Sequence, residues 1–114
     1  MAKHVLFVCS QNRLRSPTAE QIFAGNPGVE CLSAGTNHGA DNPLTLELVE
    51  WADIIFVMET HHRNKLKSKF RRYLANKQVI CLEIPDEYEY MDPGLVRLLK
   101  DKVSPFLPMN HAPT

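Results

Sequence analysis

Two stretches of this chain are apolar at every position: Val5-Leu6-Phe7-Val8 and Ile54-Ile55-Phe56-Val57-Met58. A strand with one wet face alternates apolar and polar residues, so a run without alternation reads as a strand covered on both faces. Strands of that kind belong to parallel sheets, whose crossover connections lay helices on either side. The rest of the chain supplies those helices in turn. Strands are expected over residues 3–8, 29–33, 54–58 and 78–84, and helices over 16–25, 44–51, 60–74 and from 93 onward. Pro17 fits a first helical turn, where its missing N–H costs nothing, and Gly25-Asn26-Pro27-Gly28 ends that helix. Asn42 before Pro43, Thr60, and Asp92 before Pro93 read as caps of the later three. Pro105 and Pro108 break up the tail, which is expected to fray. Strand then helix, four times over, with right-handed crossovers, is an α/β fold: a four-stranded parallel sheet with helices on both faces. One domain over residues 1–114 is the expected extent.

Composition narrows the classes. Apolar residues make up 44% of the 114, enough for a core and too many for a disordered chain. Thirteen basic and thirteen acidic residues cancel, so bulk charge gives no reason to expect nucleic acid or a membrane surface as partner. No apolar run approaches the length of a bilayer span. Met1-Ala2-Lys3-His4 leads straight into the first strand without a secretory pattern. Cys9, Cys31 and Cys81 are odd in number and far apart, unlike a disulfide framework or a zinc site. A reducing cytoplasm is the expected setting.

The chemistry concentrates where the first strand ends, in Cys9-Ser10-Gln11-Asn12-Arg13-Leu14-Arg15-Ser16. Ligands of open parallel sheets sit beyond the carboxyl ends of strands, and Cys9 occupies such an end. A tight loop running into a helix turns its N–H groups inward and adds the positive end of the helix, which suits an oxyanion. The same field favours thiolate over thiol at the loop's start. Arg15 can grip two phosphate oxygens with one planar fork, which a lysine cannot do.

These residues resemble the low-molecular-weight protein tyrosine phosphatases. The resemblance rests on Val8 through Glu20, on Ser33-Ala34-Gly35-Thr36, on Ala52-Asp53-Ile54-Ile55-Phe56-Val57-Met58-Glu59, and on Ile84-Pro85-Asp86-Glu87-Tyr88. The chain departs from the family at Gln11, where a glycine is usual, at Leu14, often a second cysteine, and at Glu87, normally proline. Its segment between the second and third strands is short, with no match to the family's supporting histidine. The loop is also similar to that of the related phosphatases acting on the tail of RNA polymerase II.

The resemblance implies a two-step phosphomonoester hydrolysis, most simply that of a protein tyrosine phosphatase. Cys9 would attack phosphorus and form a phosphocysteine, which water then hydrolyses. Arg15 and the amides of Ser10, Gln11, Asn12, Arg13 and Leu14 would bind the phosphoryl oxygens, with no metal or cofactor. Asn12 suits a left-handed loop position, and Ser16 can donate its hydroxyl to the thiolate or serve as a plain helix cap. Ser33 resembles a supporting serine of the same network. Asp86 is preferred over Asp92 as general acid. Asp92 completes a helix-start signal, and a carboxylate spent on backbone N–H groups is ill-suited to giving up a proton. Tyr88, or Tyr90, can form an aromatic wall of the cleft or pack across the loop. The expected partner is a phosphorylated protein or a small phosphomonoester, and a monomer is the expected state.

Other readings remain on the same fold. A phosphoserine phosphatase differs only in substrate, and a non-catalytic phosphate-binding relative would keep the loop without turnover. An arsenate reductase needs two more cysteines near the site, and Glu59-Thr60-His61 offers none. A phosphocysteine carrier has no use for Arg15. Residues 61–72 carry His61, His62, Arg63, Lys65, Lys67, Lys69, Arg71 and Arg72 with no acid among them. A solvated face is the preferred reading of that helix, a binding face the rival. Cys31 and Cys81 read as small core residues.

Overall fold

The computed structural model describes residues 3–107. Met1, Ala2 and the tail from Pro108 onward lie outside them, and with them the expected break at Pro108 and the fraying of that tail; Pro105 follows the end of α4 within a single 3-10 turn. Four parallel strands form one sheet in the order β2-β1-β3-β4. They are β1 (Lys3–Cys9), β2 (Val29–Gly35), β3 (Ile54–Val57) and β4 (Gln78–Cys81). The helices between and after them are α1 (Arg15–Phe23), α2 (Leu46–Trp51), α3 (Thr60–Phe70) and α4 (Pro93–Val103). Single 3-10 turns follow α3 at Arg71–Tyr73 and α4 at Ser104–Phe106. Among the described residues no helix is long and apolar enough to cross a membrane.

The unbroken apolar runs do what their pattern demands. Successive side chains of β1 point to opposite faces. Val5, Phe7 and Cys9 join Phe23, Leu95, Leu99 and Val103 in one core layer, between the sheet and α1 with α4. Leu6 and Val8 join Val49, Ile55, Val57 and Leu66 in the other, under α2 and α3. The three stacked rings of Phe23, Phe7 and Phe56 anchor the first layer, with centroids 5.8 and 5.4 Å apart.

The second helix begins later than its sequence signal. Asn42 and Pro43 are not its start; Thr45 is the cap and accepts from the Leu48 N–H. Asn42 is committed elsewhere, since its side chain donates to the Ser33 carbonyl and its own carbonyl accepts the Gly35 N–H. Pro43 lies as a short bridge alongside Gly35, beside the sheet's edge. Thr60 likewise is the first residue of α3, and Glu59 is its cap. Asp92 does cap α4, accepting from the Gly94 N–H at 2.8 Å.

The strand order fixes where a ligand can lie. From β1 the chain crosses to β2 on one side, then from β2 to β3 on the other side of β1. The carboxyl ends of β1 and β3 therefore flank the point where the winding reverses, and a crevice opens there. Cys9 ends β1, and Glu59 follows β3.

Candidate active site

The loop after β1 is held from outside by its carbonyl groups. The Cys9, Ser10 and Gln11 carbonyls accept N–H groups of Thr36, Asn37 and Asp41 at 2.9 to 3.0 Å. Among the described residues, the N–H groups of residues 10–14 donate to no protein acceptor. With the carbonyls tied outward, the amides are left to face an anion, and the first N–H groups of α1 add to them. No side chain caps α1. Asn12 takes φ of 58°, a left-handed turn that asparagine tolerates better than most residues.

Gly35 sets the spacing between β2 and the loop. A Cβ there would lie 2.5 Å from the Ser10 carbonyl oxygen and 2.6 Å from the Ala40 side chain. Only glycine lets β2 run this close beneath the loop.

Cys9 is buried at the loop's floor, its Sγ 3.0 Å from Ser16 Oγ. Ser16 in turn accepts from Asn12 Nδ2 at 2.9 Å. That acceptance aims the Ser16 hydroxyl proton away from Asn12, toward the sulfur. Leu14, not Ser16, is the residue preceding α1, so Ser16 is free of any capping duty.

Arg15 is 3% exposed, and one edge of its guanidinium is tightly held. One terminal nitrogen donates to Glu59 Oε1 at 2.6 Å and to the Ile84 carbonyl at 2.7 Å. The paired guanidinium holds the Glu59 carboxyl below its usual range, outweighing the opposing effect of partial burial. The Nε lies 3.8 Å from Asp86 Oδ1. Arg15 thus has one edge fixed to β3 and to the chain after β4, which leaves its remaining N–H groups for the loop.

His62 completes the support, and sequence reasoning missed it. It is fully buried in the first turn of α3. Its Nδ1 accepts the Glu59 N–H at 3.0 Å, so the ring proton sits on Nε2, which donates to Ser10 Oγ at 2.8 Å. Burial, followed by the nearby charges of His61 and Arg15, pushes its pKa down to about 3, so the ring is neutral. Ser10 must accept from His62, which frees its own proton for a donor role in the loop. The Glu59-x-x-His62 pair is a reciprocal helix cap, and that was the available signal. Glu59 and His62 therefore brace Arg15 and Ser10 from one helix start.

Cys9, Ser10, Gln11, Arg13, Leu14, Arg15 and Asp86 line a single pocket of about 190 Å³. Asp86 is 65% exposed at its mouth, carried there by the chain that leaves Ile84. Its loop is tied back to α1 by the Met91 N–H, which donates to Thr18 Oγ1 at 2.9 Å. Asp92 is spent on its cap and does not line the pocket. Neither do Cys31 and Cys81, and burial pushes the Cys31 thiol up to about 12.

Three expected site residues fall elsewhere. Tyr88 does not line the pocket; it packs against the core layer that contains Leu95, Leu99 and Val103 of α4. Its apolar ring gains more there than in the wet mouth. Tyr90 is half exposed and also outside the pocket. The Ser33 hydroxyl donates to Glu20 on α1 rather than to the loop. Ser33 pairs with Phe7, two residues below Cys9, and so faces the α1 layer. Glu59, His61 and His62 bring ligand atoms within 4.8 Å of one another. Both ring nitrogens of His62 and the Glu59 carboxylate are already committed, so the trio is not an open metal site.

No family model matches the chain. The protein-arginine-phosphatase of Bacillus subtilis is 33% identical over a 96-residue alignment, covering 60% of this chain and 64% of that protein. The chain thus spans just under two thirds of that curated relative's length. A crystal structure of a YwlE mutant from Bacillus subtilis superposes with a TM-score of 0.66 at 26% identity, covering 87% of this chain and 95% of the other. The tyrosine phosphatase Wzb of Escherichia coli K30, in complex with phosphate, gives 0.71 at 22%, covering 90% and 94%. A low-molecular-weight protein tyrosine phosphatase from Streptococcus pyogenes gives 0.76 at 17%, covering 96% and 95%; these last two speak to the fold alone.

Proposed function

We infer that this chain is a member of the low-molecular-weight protein tyrosine phosphatase family, as its likeness to the Bacillus subtilis relatives supports, and that it hydrolyses phosphate monoesters through a phosphocysteine at Cys9. The observation that carries this reading is one pocket lined by Cys9, the loop, Arg15 and Asp86. In the first step Cys9 Sγ attacks phosphorus in line. The S–P bond forms as the bond from phosphorus to the leaving oxygen breaks, and Asp86 gives that oxygen a proton. In the second step Asp86 takes a proton from water, which attacks the phosphocysteine. Cys9 leaves as thiolate, stabilised by the Ser16 hydroxyl. Through both steps the equatorial oxygens are held by the loop amides, the Ser10 hydroxyl and the free edge of Arg15, so charge meets fixed donors rather than reorganising water.

The substrate is a phosphorylated protein or small phosphomonoester, with phosphotyrosine the first choice. Phosphoarginine is the second, favoured by the curated relative's activity and by the withdrawal of Tyr88 from the pocket. Phosphoarginine is a phosphoramidate rather than an ester: the P–N bond would break as the S–P bond forms, and Asp86 would give its proton to the departing guanidine nitrogen. The test compares an aryl phosphate, a phosphotyrosyl peptide and a phosphoarginyl peptide, with wild type and Cys9→Ser. Turnover of either ester, lost in Cys9→Ser, supports the reading; turnover of the phosphoarginyl peptide alone, lost likewise, keeps the phosphocysteine and moves the substrate to a phosphoramidate. Phosphate binding without turnover on all three refutes it.

A further inference from the structure

The cations of α3 and the turn after it have no counter-charges. Arg63, Lys65, Lys67, Lys69, Arg71 and Arg72 form no ion pair among the described residues. Yet the chain as a whole is neutral. Six of the thirteen basic residues thus fall within ten positions with no acid among them, and five of these six are exposed. This stretch also borders a cavity. Thr36, Asn37 and His38 form one wall of a groove of about 560 Å³, and Lys65, Ser68 and Lys69 form the other. Ser68 and Lys69 continue into a second depression of about 490 Å³, walled by Arg71, Arg72 and Tyr73.

This groove is joined to the phosphate loop by direct bonds. The Thr36 and Asn37 N–H groups donate to the Cys9 and Ser10 carbonyls. Lys65 Nζ donates to Asn37 Oδ1 at 3.0 Å. Asp41, on the same segment, holds Arg13 at the pocket mouth with Nε to Oδ1 at 3.3 Å. Residues 36–41 therefore connect the rim of the pocket at Arg13 to the wall of the groove.

We propose that the groove beside α3 docks an acidic stretch flanking the phosphorylated residue of a protein substrate. The proposal rests on the phosphatase reading and adds a preference to it. Unpaired cations at the rim of a site draw in an anionic partner and speed encounter, and the effect fades with salt. Acidic side chains would meet Lys65, Lys69, Arg71 and Arg72, while the phosphate occupies the loop. A small aryl phosphate reaches none of these residues.

The experiment uses two fluorescent phosphotyrosyl peptides, alike except for four glutamates or four glutamines after the phosphotyrosine. Binding to Cys9→Ser is read by anisotropy at low and high ionic strength, with and without K69Q/R71Q/R72Q, whose positions are exposed and outside the catalytic pocket. Aryl phosphate hydrolysis by the triple variant with Cys9 intact is read alongside. The acidic peptide is expected to bind about fivefold or more tightly at low salt, the scale of a few exposed ion pairs. That preference should vanish in the triple variant and at high salt, with aryl phosphate hydrolysis unchanged. Equal affinities, or a preference that survives the triple substitution, overturn the proposal. So does an RNA oligonucleotide that binds this face more tightly than the acidic peptide. Loss of aryl phosphate hydrolysis in wild type would instead sink the phosphatase reading, leaving the anisotropy comparison to decide the docking.

Discussion

His62 makes the structure's sharpest prediction about acid. The buried ring accepts the Glu59 N–H on one side and donates to Ser10 on the other, so a second ring proton has no place. Its pKa is about 3 in the folded chain against an ordinary 6.5. As pH falls through 6.5 the unfolded chain takes up this proton while the folded chain refuses it until about 3. Stability is therefore intact above 6.5, declines between 6.5 and 3, and loses no more from this group below that. Each pH unit within the window costs about 1.4 kcal/mol, so the ring alone removes roughly 2 kcal/mol between pH 6.5 and pH 5. Urea unfolding at several pH values measures it, in wild type and in His62→Gln, whose amide keeps a donor toward Ser10 but does not titrate. The wild type should lose the roughly 2 kcal/mol over that range and the variant should not. Parallel pH curves for the two proteins would refute the buried neutral ring. His62→Leu should in addition lower turnover, with His62→Gln recovering part of it, and its effect should not add to that of Ser10→Ala. Full additivity would show that His62 does not act through Ser10.

Asp86→Asn should slow turnover by about 10²-fold or more at optimal pH, as loss of a general acid does, while Asp92→Ala should mainly cost about 1 kcal/mol of stability as a lost helix cap; steady-state kinetics and thermal melts separate the two. Gly35→Ala should cost about 1–3 kcal/mol through overpacking and weaken inorganic phosphate binding, because the Ser10 carbonyl must move; unchanged phosphate affinity by calorimetry would contradict the role given to that contact. Glu59→Gln should weaken phosphate binding more than it alters the melting temperature at neutral pH, since it releases the edge of Arg15; an unaltered phosphate affinity would count against that brace.

The sequence made the sheet legible because its central strands are buried on both sides and so lack any polar interruption. Lys3–Cys9 and Ile54–Val57 fall where their apolar runs lie, and the cysteine loop follows at the carboxyl edge. Helix starts were less legible, because local signals compete with tertiary demands. Asn42 and Pro43 make a proper helix start in isolation, yet Asn42 is worth more holding the Ser33 carbonyl and Gly35 N–H at the sheet's edge. Tyr88 shows the same limit. Alternation within a loop does not say which side faces a pocket, and its ring went to the core. His62 was hidden differently. Among eight basic residues in a row of twelve it looked like one more surface charge, and only the fold brings it 2.8 Å from Ser10, fifty-two positions away.

On the proposed mechanism, Cys9 becomes phosphorylated and is then freed by water. Rapid acid quench during turnover of an aryl phosphate, followed by mass spectrometry of the peptide containing Cys9, tests it most directly. A phosphoryl group is expected on Cys9 that builds up within the first turnover, persists longer in Asp86→Asn, and is absent from Cys9→Ser together with turnover. Steady hydrolysis by Cys9→Ser, or turnover in the wild type with no phosphoryl group ever found on Cys9, would contradict it.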